Sequence, residues 1–436
     1  MKSENNLEEL DMSFNQWKEL KLEELCISIT DGSHSSPKSV EKGYPMASVK
    51  DMNYFEINLD TCRKISEEDY FKLVKARCKP EKNDILIAKD GSYLKHVHIV
   101  KEEKEVVILS SIAILKPNIQ KIYPEFLRYY LLSPMAKANL EAGYVSGSAI
   151  RRIVLKDFKR FPIYVPTLEE QKAIANTLSS LDEKIELNNQ MNETLEEMAQ
   201  ALFKRWFVDF EFPNEEGKPY KSSGGEMVES ELGMIPKGWN IEQIGKISEI
   251  QNGFAFRADE YVGQGIPVLR TLNIKDGIFE NTNIVFLPEE YKDSKYRKYI
   301  FEKFDCALVM VGAGIGKIGL ILDNTKGGLQ NQNMWRFRSL NNAIPQLYLN
   351  FLVKQARDKS KNWGNGSARE FYRKDSFSKI NVLVANYTLL KQFNELILPL
   401  YNKISENVVE NEVLIQLRDT LLPKLMSGEI RVSDLN

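Results

Sequence analysis

A stretch without helix breakers, from Pro166 to Phe210, constrains the fold of this 436-residue chain more than any other feature. No proline or glycine lies between Thr167 and Asp209, and these are the residues that most strongly disfavour a helix interior. Its apolar residues have the three- and four-residue spacing of a coiled-coil seam. They are Leu178, Leu181, Ile185, Leu195 and Leu202. We therefore predict one long helix, which would extend about 60 Å at about 1.5 Å per residue.

The sequence also contains an internal duplication, in which each copy is a globular domain followed by a long helix. The segment NGSAREFYRKDSFSKINVLV from Asn365 repeats SGSAIRRIVLKDFKRFPIYV from Ser146, and Trp239 matches Trp17. The shift that places Ile404 on Ile185 aligns four further seam positions. These are Leu400 with Leu181, Asn407 with Asn188, Asn411 with Asn192 and Leu414 with Leu195.

The asparagines predict how the two helices pack. A polar residue at a seam costs stability unless it finds a partner, and such residues often fix the register of a helix pair. Two helices with the same two interruptions most simply pack on each other. The alternative is that each helix packs only on its own domain.

The fold class predicted from these patterns is α+β, with two mixed, strand-rich domains that are each followed by a long helix. A chain of this length needs two or more cores, and a hydrophobic content of 43% with 28% charged residues is typical of globular proteins. The predicted segments are a tail at 1–16, a domain at 17–165, the central helix at 166–211, a linker at 212–238, a domain at 239–385, the distal helix at 386–426 and a tail at 427–436.

Composition argues against several classes of protein. No run of eighteen apolar residues and no secretory leader occurs, so a cytoplasmic protein with no membrane partner is expected. The four cysteines are widely separated and give no disulfide or zinc pattern. His34, His96 and His98 lack further ligands at a suitable spacing, so no metal site is predicted. A net charge of −2 does not exclude a nucleic-acid partner, because local basic clusters matter more than the total.

Candidate catalytic motifs fail on inspection. The segment GAGIGK from Gly312 to Lys317 lacks the Ser or Thr of a phosphate-binding loop and is followed by a strand-like run. We interpret it as a hairpin turn, as in the matching segment around Asp90 and Gly91. The chain has no adjacent prolines, so the motif of amino-directed DNA methyltransferases is absent from the sequence. No catalytic residues and no cofactor are predicted for this chain.

Binding chemistry, in contrast, recurs at the same place in both copies. Serine or asparagine stands beside arginine and lysine before the last strand of each domain, and these side chains contact phosphates and base edges in DNA complexes. Further polar loops are predicted at residues 31–36, 89–95, 251–257 and 330–333. The candidate DNA-binding residues are Ser33, His34, Lys89, Ser92, Tyr93, Lys95, Ser146, Ser148, Arg151, Arg152, Asn252, Arg257, Lys317, Asn331, Gln332, Asn333, Asn365, Ser367, Arg369 and Arg373. For each residue alone, an ordinary solvated loop is the alternative.

Nearly the whole chain resembles the specificity subunits of type I restriction-modification enzymes. The most specific segments are GSAIRRIVLKDFKRFPIYVPTLEEQKAIANTLSSLDEKI from Gly147, ALFKRWFVDF from Ala201 and LRDTLLPKLMSGEI from Leu417. The second copy departs from the pattern where NYTLLKQ from Asn386 replaces PTLEEQ, which leaves open how the distal helix begins.

The resemblance implies two target-recognition domains joined by two antiparallel helices. It also implies that the chain binds double-stranded DNA and directs two methyltransferase subunits, and two restriction subunits in the full complex, to an asymmetric bipartite site. S-adenosylmethionine, ATP and Mg²⁺ would belong to those partners. We expect Phe203, Trp206 and Phe207 to offer the methyltransferases an apolar surface.

Two other functions remain open on sequence alone. The first is a coiled-coil scaffold with two protein-binding domains, and the second is a self-contained restriction endonuclease. A neighbouring methyltransferase gene would favour the specificity subunit over both.

Overall fold

The structure, a computed structural model, describes residues 17–54, 56–90, 96–146, 152–293, 295–312, 314–341, 343–360 and 373–435. The chain divides into two compact units. Unit 1 comprises Met1–Leu187 and Glu412–Asn436, and unit 2 comprises Asn188–Asn411. Each unit therefore contains one globular domain, one half of the central helix and one part of the distal helix.

Unit 1 contains eleven strands among its described residues. They are β1 (Lys18–Lys21), β2 (Cys26–Asp31), β3 (Tyr44–Ala47), β4 (Arg63–Ile65), β5 (Ile85–Ala88), β6 (Val97–Ile99), β7 (Val107–Ile108), β8 (Ile112–Pro117), β9 (Val145–Ser146), β10 (Arg152–Ile153) and β11 (Pro162–Val165). Its shorter helices are Leu22–Leu25, Glu67–Lys75, Pro124–Leu132, Pro134–Gly143 and Leu155–Phe158. The main sheet has the order β2-β8-β5-β6, a second sheet has the order β4-β3-β7, and β1 pairs with β11.

Unit 2 repeats this arrangement. Its strands are β12 (Met227–Ser230), β13 (Gly233–Pro236), β14 (Asn240–Gln243), β15 (Ser248–Asn252), β16 (Ile266–Leu269), β17 (Ile274–Lys275), β18 (Ile278–Phe279), β19 (Val285–Leu287), β20 (Cys306–Val309), β21 (Ile318–Leu320), β22 (Leu329–Gln330), β23 (Met334–Ser339) and β24 (Asn381–Val384). Its shorter helices are Ile244–Ile247, Gln346–Ser360 and Lys374–Phe377. The main sheet has the order β15-β23-β20-β21-β18-β17 and the second sheet has the order β19-β16-β22. Strand β14 pairs with β24.

The two sheet orders confirm the internal duplication. Strands β2, β8, β5 and β6 of unit 1 correspond in order to β15, β23, β20 and β21 of unit 2. The GAGIGK segment connects β20 to β21, which pair antiparallel with Leu308 opposite Ile318. The prediction of a hairpin there, rather than a phosphate-binding loop, is confirmed.

The predicted linker contains regular structure. Strands β12 and β13 form a hairpin in which Met227 lies opposite Pro236. Before this hairpin, the ring of Phe212 stacks on Trp239 with 5.2 Å between centroids. This part of the chain is therefore packed on the second domain, and the domain limits drawn from the sequence stay predictions.

Both long helices are present and each contains 40 residues. The central helix is Leu168–Phe207 and the distal helix is Tyr387–Met426. The side chain of Asn386 accepts a hydrogen bond from the backbone N–H of Leu389 at 3.0 Å, which is the contact of a helix N-cap. This cap explains how the distal helix begins without the PTLEEQ motif.

The seam asparagines pair across the two helices, within unit 2. The side-chain amide of Asn188 donates to Oδ1 of Asn411 at 2.9 Å. The amide of Asn407 donates to Oδ1 of Asn192 at 2.8 Å. Residue numbers rise along one helix as they fall along the other, so the helices run antiparallel and the predicted partnership of the asparagines is confirmed.

Each globular core is closed by both helices. In unit 1 the buried core includes Leu178 from the central helix and Leu425 and Met426 from the distal helix. In unit 2 it includes Phe393 from the distal helix and Phe203, Trp206 and Phe207 from the central helix. The two units thus use the beginning of one helix and the end of the other in the same way.

The prediction that Phe203, Trp206 and Phe207 form a partner surface is wrong. They are only 5–6% exposed. Phe203 stacks on Phe351 with 4.5 Å between ring centroids, and Phe207 meets the edge of Phe393 at 4.8 Å. Burial of such large rings is a major source of core stability, so these residues anchor the central helix to its second domain.

A buried ionic cluster that the sequence did not reveal fixes the helices to the first domain. Asp182 of the central helix accepts hydrogen bonds from Arg418 of the distal helix at 2.8 Å, Arg128 at 3.0 Å and Tyr129 at 2.8 Å. Burial alone would raise the pKa of Asp182, but the charge of Arg128 and the hydrogen bonds from Arg418 and Tyr129 hold that pKa below its ordinary value. The carboxylate is therefore ionised and joins three elements of unit 1.

Replacing this carboxylate should destabilise unit 1. We expect Asp182→Asn to lower the free energy of unfolding by about 3–5 kcal/mol, because it leaves two buried guanidinium groups without their shared anion. Urea denaturation followed by circular dichroism measures this change. The matched control is Asp209→Asn, which breaks an exposed pair with Lys204 and should cost under about 1 kcal/mol. Equal effects of the two substitutions would contradict the role given to Asp182.

Candidate nucleic-acid interface

The polar loops predicted from separate parts of the first domain meet at one edge of its main sheet. The carboxylate of Asp31, at the end of β2, pairs with the ammonium of Lys89 and lies 3.3 Å from Nε2 of His34. The backbone N–H of Lys89 donates to the carbonyl of Ser111 at 2.9 Å. Strands β2, β5 and β8 thus bring their connecting loops together here.

The basic segment before the last strand joins the same edge. Arg152 lies opposite Ser146 in the β9–β10 pair. Its guanidinium Nε is 2.9 Å from Oδ1 of Asp90, and the N–H of Ile153 donates to the carbonyl of Lys89 at 3.0 Å. The Arg152 side chain remains 60% exposed, so it is available to a ligand.

Two of the predicted contact residues are buried instead. The hydroxyl of Ser33 donates to the carbonyl of Ser35 and accepts from the N–H of Ser35, at 2.8 and 3.0 Å. The side chain of Lys89 is 7% exposed, and its charge is neutralised by Asp31. We correct their role from DNA contact to support of the loop, because neither polar group faces solvent. His34, whose side chain is 78% exposed, remains a candidate.

In unit 2 the corresponding loops are joined by backbone and amide hydrogen bonds. The amide of the fully buried Gln330 donates to the carbonyls of Gln251 and Met334, both at 3.0 Å. The N–H of Met310 donates to the carbonyl of Asn333 at 3.0 Å. These contacts bring the ends of β15, β20 and β22 to one edge of the second domain.

The side chains presented by this edge are mostly exposed. Asn252, Lys317, Gln332 and Asn333 are exposed, and Asn331 is half-buried. Asn333 has a φ of 71°, a left-handed conformation that asparagine tolerates better than most residues. Arg357, which the sequence did not single out, donates to the carbonyl of Gly316 at 3.1 Å and so steadies the turn that carries Lys317.

Two further predicted residues lie near this edge. Arg257 is exposed, and its guanidinium is 3.2 Å from the carboxylate of Asp259. Arg373 is exposed at the start of its short helix. The ammonium of the next residue, Lys374, donates to the carbonyl of Ile250 in β15. The basic segment of unit 2 therefore lies against the strand that leads into Asn252.

The remaining predicted residues lie outside the described part of the chain. They are Ser92, Tyr93, Lys95, Ser148, Arg151, Asn365, Ser367 and Arg369, together with the side chain of Ser146.

Superposing the bonding patterns of the two edges identifies residues that the sequence analysis missed. Ser33 bridges Leu109 as Phe254 bridges Asn331. It follows that Ser110 and Ser111 occupy the places of Gln332 and Asn333. In both copies these residues come just before a strand of the main sheet, β8 in unit 1 and β23 in unit 2. The sequence analysis recognised this loop only in unit 2, where it is rich in Asn and Gln.

We define the polar edge of unit 1 as residues 31–34, 89–90, 110–111 and 152. The polar edge of unit 2 comprises residues 252–254, 310–312, 314–317 and 330–333.

One glycine in each polar edge permits a close approach of two backbones. A Cβ added to Gly32 would lie 2.2 Å from the carbonyl oxygen of Ile108, and a Cβ added to Gly253 would lie 1.8 Å from that of Asn331. Real Cβ atoms do not tolerate such distances, so these positions require glycine for space. The equivalence of the two glycines explains why each main-sheet strand turns into its loop at the same point.

Substitution of Gly253 should therefore distort the second polar edge. We expect Gly253→Ala to lower the free energy of unfolding by about 1–3 kcal/mol through overpacking, as measured by urea denaturation. The control is Gly263→Ala, where an added Cβ has no atom within 4 Å and stability should change by less than about 1 kcal/mol. A Gly253→Ala protein as stable as the control would show that the backbones separate without cost.

Among the described residues, no group of three or more His, Cys, Asp or Glu side chains could hold a metal ion. Within the same part of the chain, no helix is long and apolar enough to span a bilayer.

Comparison with known proteins identifies the family. Residues 15–197 and 236–385 match the type I restriction modification DNA specificity domain. The specificity subunit of type I restriction enzyme HindI from Haemophilus influenzae is 24% identical over 417 residues, which cover 80% of this chain and 87% of that protein. The specificity subunit of type I restriction enzyme MjaVIII from Methanocaldococcus jannaschii is 27% identical over 359 residues, covering 81% of this chain and 80% of that protein.

A solved structure shares the fold. The crystal structure of a type I restriction-modification system S subunit from M. genitalium has a TM-score of 0.56 at 18% identity, and the match covers 94% of this chain and 96% of that chain. The duplicated domains, the paired helices and the two matched regions agree with one another. The chain belongs to the type I restriction-modification DNA specificity family, as a non-catalytic specificity subunit.

Proposed function

We propose that this chain directs two methyltransferase subunits to an asymmetric, bipartite sequence in double-stranded DNA, with one half-site read by each domain. The readers are residues 17–165 and 239–385, and restriction subunits join the same assembly. S-adenosylmethionine, ATP and Mg²⁺ are bound by those partner subunits, and a DNA substrate implies that the complex works in the cytoplasm.

The observation that carries this proposal is that both units place the same loops at the same edge with different side chains. Ser110 and Ser111 of unit 1 correspond to Gln332 and Asn333 of unit 2, as judged by equivalent backbone bonds. A shared scaffold with different contact groups is suited to reading two different sequences.

The chemistry of the exposed groups supports base reading in the major groove. Asn and Gln pair bidentately with adenine, and Arg and Lys with guanine. Unit 2 offers the exposed Gln332, Asn333 and Lys317, whereas unit 1 offers the exposed His34 and Arg152 and the half-buried Ser110. Because the two sets differ, the two half-sites should differ as well.

The helix pair would set the spacing between the half-sites. Two 40-residue helices are each about 60 Å long, which exceeds the 34 Å of one DNA turn that often separates half-sites. The pairs Asn188–Asn411 and Asn192–Asn407 fix the register of these helices, so they would fix the spacer too.

The exposed apolar residues of the helices support a docking role for the methyltransferases. Leu417 of the distal helix and Met198 of the central helix are repeat-related positions, and they are 45% and 53% exposed. Exposed apolar side chains at matching places in the two units are what two identical partners would use. These residues replace the buried aromatic cluster as candidates for that interface.

Lengthening the helices should lengthen the unread spacer. We expect four residues inserted after Asn189 and four after Val409, which are opposed in the seam, to add about 6 Å and hence about two base pairs. Genome-wide methylation mapping of cells that carry the variant measures the spacer and both half-sites. The control is the same insertion after Gly217, in an exposed turn of the linker, which should leave the spacer unchanged. An unchanged spacer in the helix variant would refute the ruler.

Polar substitution of the repeat-related residues should weaken methyltransferase docking. We expect Met198→Asp combined with Leu417→Asp to reduce co-purification of the methyltransferase subunit at least tenfold, because each charge would have to be buried at the interface. Each single variant should release one of two copies. Leu340→Asp, which changes a 55% exposed leucine outside the helices, is the control. Full retention of both copies by the double variant would exclude this surface.

A further inference from the structure

A second group of cations lies beside each polar edge, in the segment that leads from the second sheet into the main sheet. In unit 2 this segment connects β19 to β20, and Lys295, Arg297 and Lys298 within it are exposed. Within the described part of the chain, no carboxylate forms an ion pair with any of the three, whereas the nearby Lys292 pairs with Glu289. Three uncompensated positive charges therefore face solvent in a chain whose net charge is −2.

Aromatic packing holds two of these cations, Lys295 and Lys298, next to the polar edge. Tyr291 stacks on Tyr296 with 4.6 Å between centroids, and Phe254 of the polar edge packs against Tyr296 and Tyr299 at 5.1 and 5.4 Å. The ammonium groups of Lys295 and Lys298 lie over the rings of Tyr296 and Tyr299, both at 5.1 Å. Such cation–π contacts restrict the lysine side chains, so their charges hold a defined position relative to the loop.

The backbone of the segment is also tied to the main sheet. The guanidinium Nη1 of Arg336, in β23, donates to the carbonyl of Lys298 at 2.9 Å and to that of Ile300 at 3.0 Å. Arg336 is almost fully buried. A buried donor with two carbonyl acceptors leaves the segment little freedom to move away from the sheet.

The same arrangement recurs in unit 1, although the local structure differs. Between β4 and β5, a helix and its C-terminal turn carry Lys72, Lys75 and Arg77, which are all exposed. No ion pair of these three occurs among the described residues. Tyr70, in that helix, stacks on Tyr44 with 4.1 Å between centroids.

The unit 1 segment also reaches its polar edge. The carbonyl of Cys78 accepts from the N–H of Ile108 at 3.0 Å, and the carbonyl of Ile108 accepts from the N–H of Ser33 at 2.8 Å. Only one strand therefore separates Arg77 and Cys78 from the loop that carries His34. Each unit therefore has three cations in the segment that connects its second sheet to its main sheet. This segment contains a helix in unit 1 and irregular turns in unit 2.

We propose that these two groups, Lys72, Lys75 and Arg77 in unit 1 and Lys295, Arg297 and Lys298 in unit 2, bind the DNA phosphates that flank each half-site. This inference rests on the proposed DNA-reading function and adds a second kind of contact to it. Exposed, unpaired cations attract phosphates of any sequence and contribute through counterion release. Base reading at the polar edges and phosphate binding by the flanking groups are therefore separable properties of each unit.

The salt dependence of DNA binding tests this assignment. The full chain is purified with the methyltransferase subunit of its own genome and titrated with a fluorescent duplex carrying its mapped methylation site, at 50–200 mM salt. A scrambled duplex is titrated in parallel. For the triple variant Lys295→Gln, Arg297→Gln and Lys298→Gln, each lost phosphate contact lowers the slope of log affinity against log salt by about 0.9. Loss of all three contacts would lower the slope by about 2.7 and the affinity by up to about 100-fold at 0.15 M salt.

Both duplexes should lose affinity by a similar factor, and the methylated sequence in cells should stay the same. The unit 1 triple variant Lys72→Gln, Lys75→Gln and Arg77→Gln should behave likewise. The charge-matched control Lys218→Gln, Lys221→Gln and Lys237→Gln changes exposed linker residues and should retain the wild-type slope. Thermal unfolding confirms that each variant is folded.

Three results would overturn the inference. They are a wild-type slope in both flanking triple variants, the same slope loss in the linker control, and a loss confined to the mapped site. The proposed function fails separately, if the wild-type complex does not distinguish the mapped duplex from the scrambled one. The conservative variant Lys295→Arg and Lys298→Arg keeps both charges, so it is expected to have the wild-type slope.

Discussion

The pairing of two buried asparagines across an antiparallel helix seam is the constraint on which the rest of this structure depends. An apolar seam alone would allow the helices to slide by a heptad at modest cost, whereas Asn188 and Asn407 are fully buried and must meet their partners. Within unit 2 these pairs set the register of the two helices. The ends of the same helices supply Leu425 and Met426 to the core of unit 1, and Trp206 and Phe207 to the core of unit 2.

The buried Asp182 cluster adds ion pairs to this apolar arrangement in unit 1, and the described residues of unit 2 do not repeat it at the corresponding position. The position that corresponds to Asp182 in the repeat is Tyr401, which is buried in unit 2. There, Glu196 pairs with Lys354 at 2.7 Å instead. In both copies the two long helices pack on the globular domain, but different residues form the ion pair between helix and domain.

The sequence predicted the long helices, the duplication, the asparagine pairing and the hairpin nature of the GAGIGK segment, because each depends on periodicity or on comparison of the two copies. It misassigned Phe203, Trp206 and Phe207, since a row of aromatic residues at a helix end looks the same whether it faces a partner or a core. It missed the cluster around Asp182, because Arg128 and Arg418 are distant in sequence. Ser33 and Lys89 were judged by residue type, but burial decides their role.

Main-chain hydrogen bonds and two tightly packed glycines hold the polar edges, so the geometry of these edges is largely independent of the side chains that they display. The amide of Met310 reaches Asn333 through backbone atoms just as that of Lys89 reaches Ser111. Mutation can therefore exchange the displayed groups while the sheet and the helices persist. If each domain reads one half-site as proposed, a lineage of such proteins would acquire new DNA targets one domain at a time.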